Sequence, residues 1–299
     1  MENENKMQNE LTIGFIGAGN MAEAMISALI RKEVFPPGNI VVSDMVPERG
    51  EFIKKTYNVS FLNDNIDVVE KSDIVVLAVK PQQMTRMLKD LVDLGAFDLK
   101  QRRLLAISIA AGVKLETLEN SLYAGKTGKE KQFFPIIRVM PNTPALVGAG
   151  MCAFSANSHA NSFDIENTRR VLGAMGDVLN CDETKMDAVT AISGSGPAYC
   201  FYFIEAVLEA GEQLGLTTAE AYQLTLSTFR GSLRLMETQK EPPASLRRKV
   251  TSPGGTTEAA ISVFDDSQLK QIINSAILAA ADRSRQLGRL SSSAGSDGK

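Results

Sequence analysis

The sequence predicts an α/β fold: a doubly wound, largely parallel sheet over the first half, followed by an all-helical second half. Three observations lead there. Short apolar runs alternate with helix-length segments from Leu11 to about Val178. A glycine-rich turn follows the first of those runs at Gly17. After Asp182 the segments read as helices alone.

Residues 12–17 read as a strand, and Met21, Met25, Ala28 and Leu29 follow at helical spacing. Further strands are expected at 39–43, 73–79, 104–108 and 136–140. Several are apolar throughout rather than alternating, as parallel strands covered on both faces must be. Strands separated by helix-length segments imply βαβ units with right-handed crossovers. The expected helices of the second half are 197–214, 218–237, 246–250, 257–264 and 268–287. In the last of these, Leu269, Ile272, Ile273, Ala276, Ile277, Ala280 and Ala281 make a wide apolar face. With no sheet to cover, that face predicts a homodimer formed through the helical half. The division expected is 11–181 for the sheet domain and 182–288 for the helical one, with 1–10 and 289–299 as tails.

Composition narrows the class. Hydrophobic content of 44%, charged content of 22% and a net charge of -3 over 299 residues describe an ordinary soluble protein. No basic stripe points to nucleic acid, and no apolar run approaches a membrane span. Residues 1–10 are polar and acidic, unlike a secretory or transit signal. Cys152, Cys181 and Cys200 have neither CxxC nor metal spacing. The one histidine, His159, lies in a polar stretch that reads as a loop. A cytoplasmic protein without a metal site, a nucleic-acid partner or a membrane partner is the expectation.

Two constellations carry chemistry. GAGNMA, from Gly17 to Ala22, is a GxGxxA fingerprint between a strand and a helix. Gly17 permits the tight turn, Gly19 lets a pyrophosphate approach the backbone, and Ala22 takes the helix-packing place. This is the signature of a Rossmann-type dinucleotide site, although a turn needing glycine for geometry alone has the same sequence. Asp44 follows the second strand about 20 residues on, where a carboxylate takes the adenosine ribose and repels a 2′-phosphate. Ser43 and Arg49 lie close by in sequence and blur that discrimination, so the chemistry tilts towards NADH without excluding NADPH. Three later strands end in small or unusual turns: Ala78 to Pro81, Ile109 to Gly112, and Met140 to Pro144. Lys80 is placed to meet a phosphate or ribose, and Ala110 and Ala111 leave room for a flat ring.

The second constellation is VTSPGGTTEAAI, from Val250 to Ile261. Pro253 lacks an amide proton and Gly254 and Gly255 loosen the backbone, so the preceding helix ends. Thr256 or Thr257 is expected to cap the helix that follows. Its first amides then face back over the loop, an arrangement that binds carboxylates and phosphates. The hydroxyls of Ser252, Thr256 and Thr257 add donors. An ordinary capped turn is the alternative. No Ser-His-Asp set, GxSxG elbow or CxxC is present. SGSGPAY, at Ser193 to Tyr199, reads as a tight helix entry. Residues 123–134, basic and glycine-containing, read as a solvated surface loop. Hydride transfer to an electrophilic carbon suits such a site, since it needs positioning more than proton relays.

Taken together the motifs resemble those of the pyrroline-5-carboxylate reductases, the last enzymes of proline biosynthesis. The resemblance rests on GFIGAGNM (Gly14 to Met21), AVKP (Ala78 to Pro81), RVMPNTP (Arg138 to Pro144), SGSGPAY and VTSPGGTT, in order over about residues 11–287. It implies an NAD(P)H-dependent oxidoreductase acting on a CH–NH bond, with a helical domain that interlaces with a partner's and assembly as a dimer or decamer. It implies cofactor contact at Gly17, Ala18, Gly19, Asn20, Met21, Ser43, Asp44, Asn65, Ala78, Val79, Lys80, Pro81, Ala110 and Ala111. The substrate carboxylate would lie on Ser252, Gly254, Gly255 and Thr256. Thr257 would stand by the imine nitrogen as orienter or proton donor, unless water or prior protonation supplies the proton. Asp44 and Met45, the run 123–134 and both tails depart from the family pattern. A β-hydroxyacid dehydrogenase shares the two-part plan, but Lys185 lacks the context of that family's catalytic lysine. A dinucleotide sensor would not need the 252–257 loop.

Overall fold

The computed structural model describes residues 11–97 and 102–293. The chain divides into two compact units, Met1–Gly194 with Ala280–Lys299, and Ser195–Ala279.

The first unit holds an eight-stranded sheet in the order β3-β2-β1-β4-β5-β6-β7-β8. Its strands are β1 (Ile13–Ile16), β2 (Ile40–Ser43), β3 (Ser60–Phe61), β4 (Ile74–Leu77), β5 (Leu105–Ser108), β6 (Ile136–Met140), β7 (Gly150–Ala156) and β8 (Gly176–Asn180). β1 to β6 run parallel; β7 is antiparallel to β6, and β8 follows β7 in parallel. The strands β1, β2, β4 and β5 are buried along their whole length. Alternate residues feed two separate cores. Ile13, Phe15, Val42, Val76, Ile107 and Val139 pack in one cluster. Ile16, Val41, Val75, Leu77, Ala106 and Ile136 pack in the other. This is why the strands carry continuous apolar runs: helices cover both faces, and each fully buried Ile, Leu or Phe contributes about 1.5–3 kcal/mol.

The helices of this unit are α1 (Asn20–Arg31), α2 (Pro47–Tyr57), α3 (Asn65–Lys71), α4 (Pro81–Asp93), α5 (Leu115–Leu122), α6 (Gly128–Lys131), α7 (Ser162–Gly173) and α8 (Met186–Val189). Proline occupies the first turn of α2 and α4, where its missing amide proton costs nothing. β7 and β8 were not among the strands expected from sequence. They lie beyond the parallel repeat, and the exposed residues of β8 break the apolar signal.

The run 123–134 is exposed over most of its middle, as its sequence suggests, but both of its ends are anchored. Tyr123 and Phe134 are buried, and the Tyr123 hydroxyl donates to the Phe134 carbonyl at 2.5 Å. Thr127 and Glu130 form a reciprocal cap that starts α6. Arg103 fastens the segment by donating to the Gln132 carbonyl at 2.5 Å. The same guanidinium reaches the His159 carbonyl at 2.7 Å and the buried Asp164 carboxylate at 2.5 Å. A lysine-rich sequence hid two aromatic anchors. Arg138, on β6, is also buried and donates to Glu183 at 2.6 Å, pinning the chain just after β8.

The second unit is helical: α9 (Gly196–Gln213), α10 (Thr218–Gln239), α11 (Pro243–Lys249), α12 (Thr256–Asp266) and the start of α13 (Leu269–Ser293). A π-turn over Thr190–Gly194 precedes α9. α9 and α10 approach closely at Gly211, where a Cβ would stand 3.0 Å from that of Ala221. Of residues 195–279 only Gly211, Ala221 and Thr225 are buried. Tyr202 is 78% exposed, Leu278 63% and Val263 61%. Five helices with so little interior are far from the ordinary balance of a folded unit. α13 continues through Gly288 to Ser293, past the expected tail boundary at 289. Residues 294–299 and 1–10 lie outside the described residues.

Candidate active site

Gly17 leaves β1 with φ of +98°, in the region that favours glycine. A Cβ on it would lie 2.8 Å from the Ala78 carbonyl oxygen. Its amide donates to the Ser43 carbonyl at 2.9 Å, and the Ala78 amide donates to the Ile16 carbonyl at 2.8 Å. The ends of β1, β2 and β4 are thus laced together where the strand order reverses, the place at which open α/β sheets bind ligands. Gly19 precedes α1 in extended conformation with no side-chain cap. A Cβ there would meet nothing within 4 Å. The two glycines therefore fit a dinucleotide in different ways. Gly17 makes the turn, and Gly19 keeps open the approach to the uncapped amides of the first turn of α1.

Asp44 spans two amides, accepting from Ala18 at 2.7 Å and from Val46 at 2.9 Å. It shapes the fingerprint loop and the entry to α2, while each carboxylate oxygen keeps a lone pair that a ribose hydroxyl can use. Ser43 is buried and donates to Asn65 Oδ1 at 2.7 Å. Lys80 is exposed and stands at the start of α4. Ala110 is buried and Ala111 exposed just beyond β5. The strands β1, β2, β4 and β5 therefore gather residues 17–21, 43, 44, 78–81, 110 and 111 along one sheet edge, and the Ser43 hydrogen bond ties Asn65 of α3 to it.

The structure adds a network that sequence reading reduced to one nearby arginine. Arg49 Nε donates to the Ala18 carbonyl at 2.6 Å. Its Nη2 pairs with Glu23 Oε2, and its guanidinium lies 5.1 Å from the Phe52 ring centre. The Tyr57 hydroxyl donates to Glu23 Oε1 at 2.9 Å. Burial, followed by the Glu23 hydrogen bond, raises the Tyr57 pKa. The Ala18 peptide is gripped at both ends, by Asp44 on its amide and Arg49 on its carbonyl. Glu23 and Arg49 are 26 positions apart, so no local spacing announces the pair.

In the second unit, residues 251–255 form the turn expected between two helices. Gly254 has φ of +72°, and the Gly255 amide donates to the Ser252 carbonyl at 3.1 Å. Neither threonine caps the helix. α12 begins at Thr256 with Gly255 as its cap residue and no side-chain cap. The Glu258 carboxylate reaches back instead and accepts from the Gly254 amide at 2.7 Å. Thr256 and Thr257 consequently lie inside the first turn, Thr256 exposed and Thr257 half-buried. In the first unit, Asn142 Nδ2 donates to the carbonyl and the hydroxyl of Ser193, both at 3.3 Å, joining two of the sequence motifs. Among the described residues no helix is long and apolar enough to cross a membrane. None of them form a group of three or more His, Cys, Asp or Glu side chains that could hold a metal ion.

Comparison with known proteins agrees with this arrangement. The family model for pyrroline-5-carboxylate reductase dimerisation matches residues 183–287. A model described as NADP oxidoreductase, coenzyme F420-dependent, matches residues 12–112. The pyrroline-5-carboxylate reductase of Corynebacterium melassecola is 37% identical over 278 residues, covering 93% of this chain and 99% of its own. The structure of a pyrroline-5-carboxylate reductase from Coxiella burnetii superposes with a TM-score of 0.82 at 36% identity, covering 93% of this chain and 99% of that one. The Plasmodium falciparum pyrroline carboxylate reductase, solved with NADP bound, gives 0.81 at 28% identity, covering 94% and 99%. With a fingerprint at the switch point, a glycine loop before α12 and relatives matched almost end to end, this chain belongs to the pyrroline-5-carboxylate reductase family.

Proposed function

We propose that this chain reduces the C=N bond of L-1-pyrroline-5-carboxylate to give L-proline, using NADH or NADPH. The observation that carries this reading is end-to-end similarity to reductases of that name, together with the dinucleotide fingerprint at the sheet edge. When bound, the reduced nicotinamide supplies a hydride to the imine carbon. The chain's own residues position, exclude water and manage the proton. Gly17 to Met21 receive the pyrophosphate; Ser43, Asp44 and Asn65 serve the adenosine side. Ala78 to Pro81, with Ala110 and Ala111, complete the cofactor contacts. Ser252, Gly254, Gly255 and Thr256 hold the substrate carboxylate through backbone amides and hydroxyls. Thr257 orients the imine nitrogen or gives it a proton.

The same proposal assigns cofactor binding to residues 11–181 and substrate binding with self-association to 182–288. The family match supports homo-oligomerisation, and the scarcity of buried residues in 195–279 gives a physical reason for it. A dimer, with decamers built from it, in the cytoplasm and away from membranes is the form proposed. The test is loss of reduced-nicotinamide absorbance with pyrroline-5-carboxylate, run with both cofactors in parallel. Turnover is expected with at least one. Binding of cofactor without turnover would refute the assignment and favour another imine or carbonyl substrate. Light scattering should give a multiple of the single-chain mass; a monomer at micromolar concentration would refute the dimer.

A further inference from the structure

We propose that Glu23 is a cofactor-selecting residue, which acts by holding Arg49 away from the 2′ position of the adenosine ribose. The inference rests on the reading that residues 17–21 receive a nicotinamide dinucleotide. An arginine just beyond the second strand is the residue type that accommodates a 2′-phosphate, because its planar fork can make two parallel hydrogen bonds to phosphate oxygens. Arg49 stands in that place, in the first turn of α2. Yet Nε and Nη2, the two nitrogens of one edge of the fork, are already engaged. Nε donates to the Ala18 carbonyl at 2.6 Å and Nη2 pairs with Glu23. Phe52 covers the guanidinium face at 5.1 Å.

Glu23 is itself fixed, since the Tyr57 hydroxyl holds its other oxygen at 2.9 Å. Side-chain exposures of 26% for Arg49 and 25% for Glu23 leave the pair partly shielded, where such an interaction weakens less with salt than at an open surface. Asp44 adds a second carboxylate beside the same loop. Two carboxylates against one guanidinium leave the adenosine end of the site net negative. That field opposes a 2′-phosphate and tolerates a ribose diol. Glu23 thus works through Arg49 and needs no contact with the cofactor. Removing its charge would free Nη2 and lift the negative balance together.

The experiment measures binding of NADH and NADPH separately, by nucleotide fluorescence, to full-length wild type, Glu23→Gln, Arg49→Gln and the double variant. Glu23→Gln is expected to raise the NADPH-to-NADH affinity ratio about tenfold, the scale of one charge-assisted hydrogen bond gained. Glu23→Asp should stay near wild type. Tyr57→Phe, which only loosens Glu23, should move the ratio the same way by less. With Arg49 replaced, Glu23→Gln should raise the ratio by clearly less, through the field alone. An unchanged ratio in Glu23→Gln, or a rise of equal size without Arg49, overturns the proposal. Wild type that bound both nucleotides but did not reduce pyrroline-5-carboxylate would refute the proposed reaction while leaving the selection test intact. Wild type that bound neither would overturn both.

Discussion

The Gly254 amide donates to the Glu258 carboxylate at 2.7 Å, so a negative charge of the chain itself sits in the loop assigned to the substrate carboxylate. The two residues are a helical turn apart, and the contact closes the gap that a threonine cap would otherwise fill. An incoming carboxylate meets both the helix amides that attract it and the Glu258 charge that repels it. Glu258→Gln should therefore lower KM for pyrroline-5-carboxylate about threefold with little change in kcat, the pattern of a ground-state binding effect. Steady-state kinetics at saturating cofactor decide it. A KM that rose would mean Glu258 builds the loop rather than competing in it.

Thr257 is the one side chain assigned to the imine nitrogen. Thr257→Ala should lower kcat about a hundredfold, the usual range for a positioned proton donor, and Thr257→Ser should restore most of it. Retention of wild-type kcat in the alanine variant would hand the proton to water or to substrate protonated beforehand.

The two fingerprint glycines should fail differently. Gly17 has positive φ and no room for a Cβ against the Ala78 carbonyl. Gly17→Ala should cost about 2 kcal/mol of stability, from strain at that φ and the clash together. Gly19 faces open space, so Gly19→Ala should melt like wild type yet bind the dinucleotide more weakly. Thermal unfolding and cofactor titration, run on both variants, separate the roles. Equal loss of stability in the two would contradict the distinction.

Asp164 is buried and takes two nitrogens of Arg103, at 2.5 and 3.0 Å, while its carboxylate also accepts from the Asn161 amide. Asp164→Ala should cost about 3 kcal/mol, since it leaves a partly buried guanidinium without its carboxylate. The loss should appear as a lowered denaturant midpoint with cofactor affinity unchanged, because Arg103 precedes β5, at the end opposite Ala110 and Ala111. Altered cofactor affinity would show that the 123–134 segment communicates with the sheet edge.

Legibility in the sequence followed the physics of each element. The parallel strands β1, β2, β4 and β5 were readable because burial on both faces forces an unbroken apolar run. The start of α11 was placed three residues late, since Pro243 looks like a breaker but sits harmlessly in the first turn. The fingerprint and the loop at 252–257 were legible because turns of that kind need glycine at fixed offsets. What stayed hidden were side-chain pairings across long separations. Glu23 with Arg49, Arg103 with Asp164 and Arg138 with Glu183 leave no periodic trace. Tyr123 and Phe134 were masked by the lysines between them, two of whose ammonium groups lie over these aromatic rings.

The end of α13 belongs to the first unit. Ser284 donates to Asp187 at 2.6 Å, Ala281 and Ser284 are buried, and Leu287 lies beside the turn at Gly112. Synthesis runs from the N-terminus, so this unit emerges from the ribosome early but lacks a piece of its own packing until residues 281–288 have been made. The helical segment is translated in the interval. The nascent unit therefore completes its packing at the Gly112 turn and at Asp187 of α8 only when residues 281–288 arrive, and a message cut short before them would deny those contacts to the half of the protein already made.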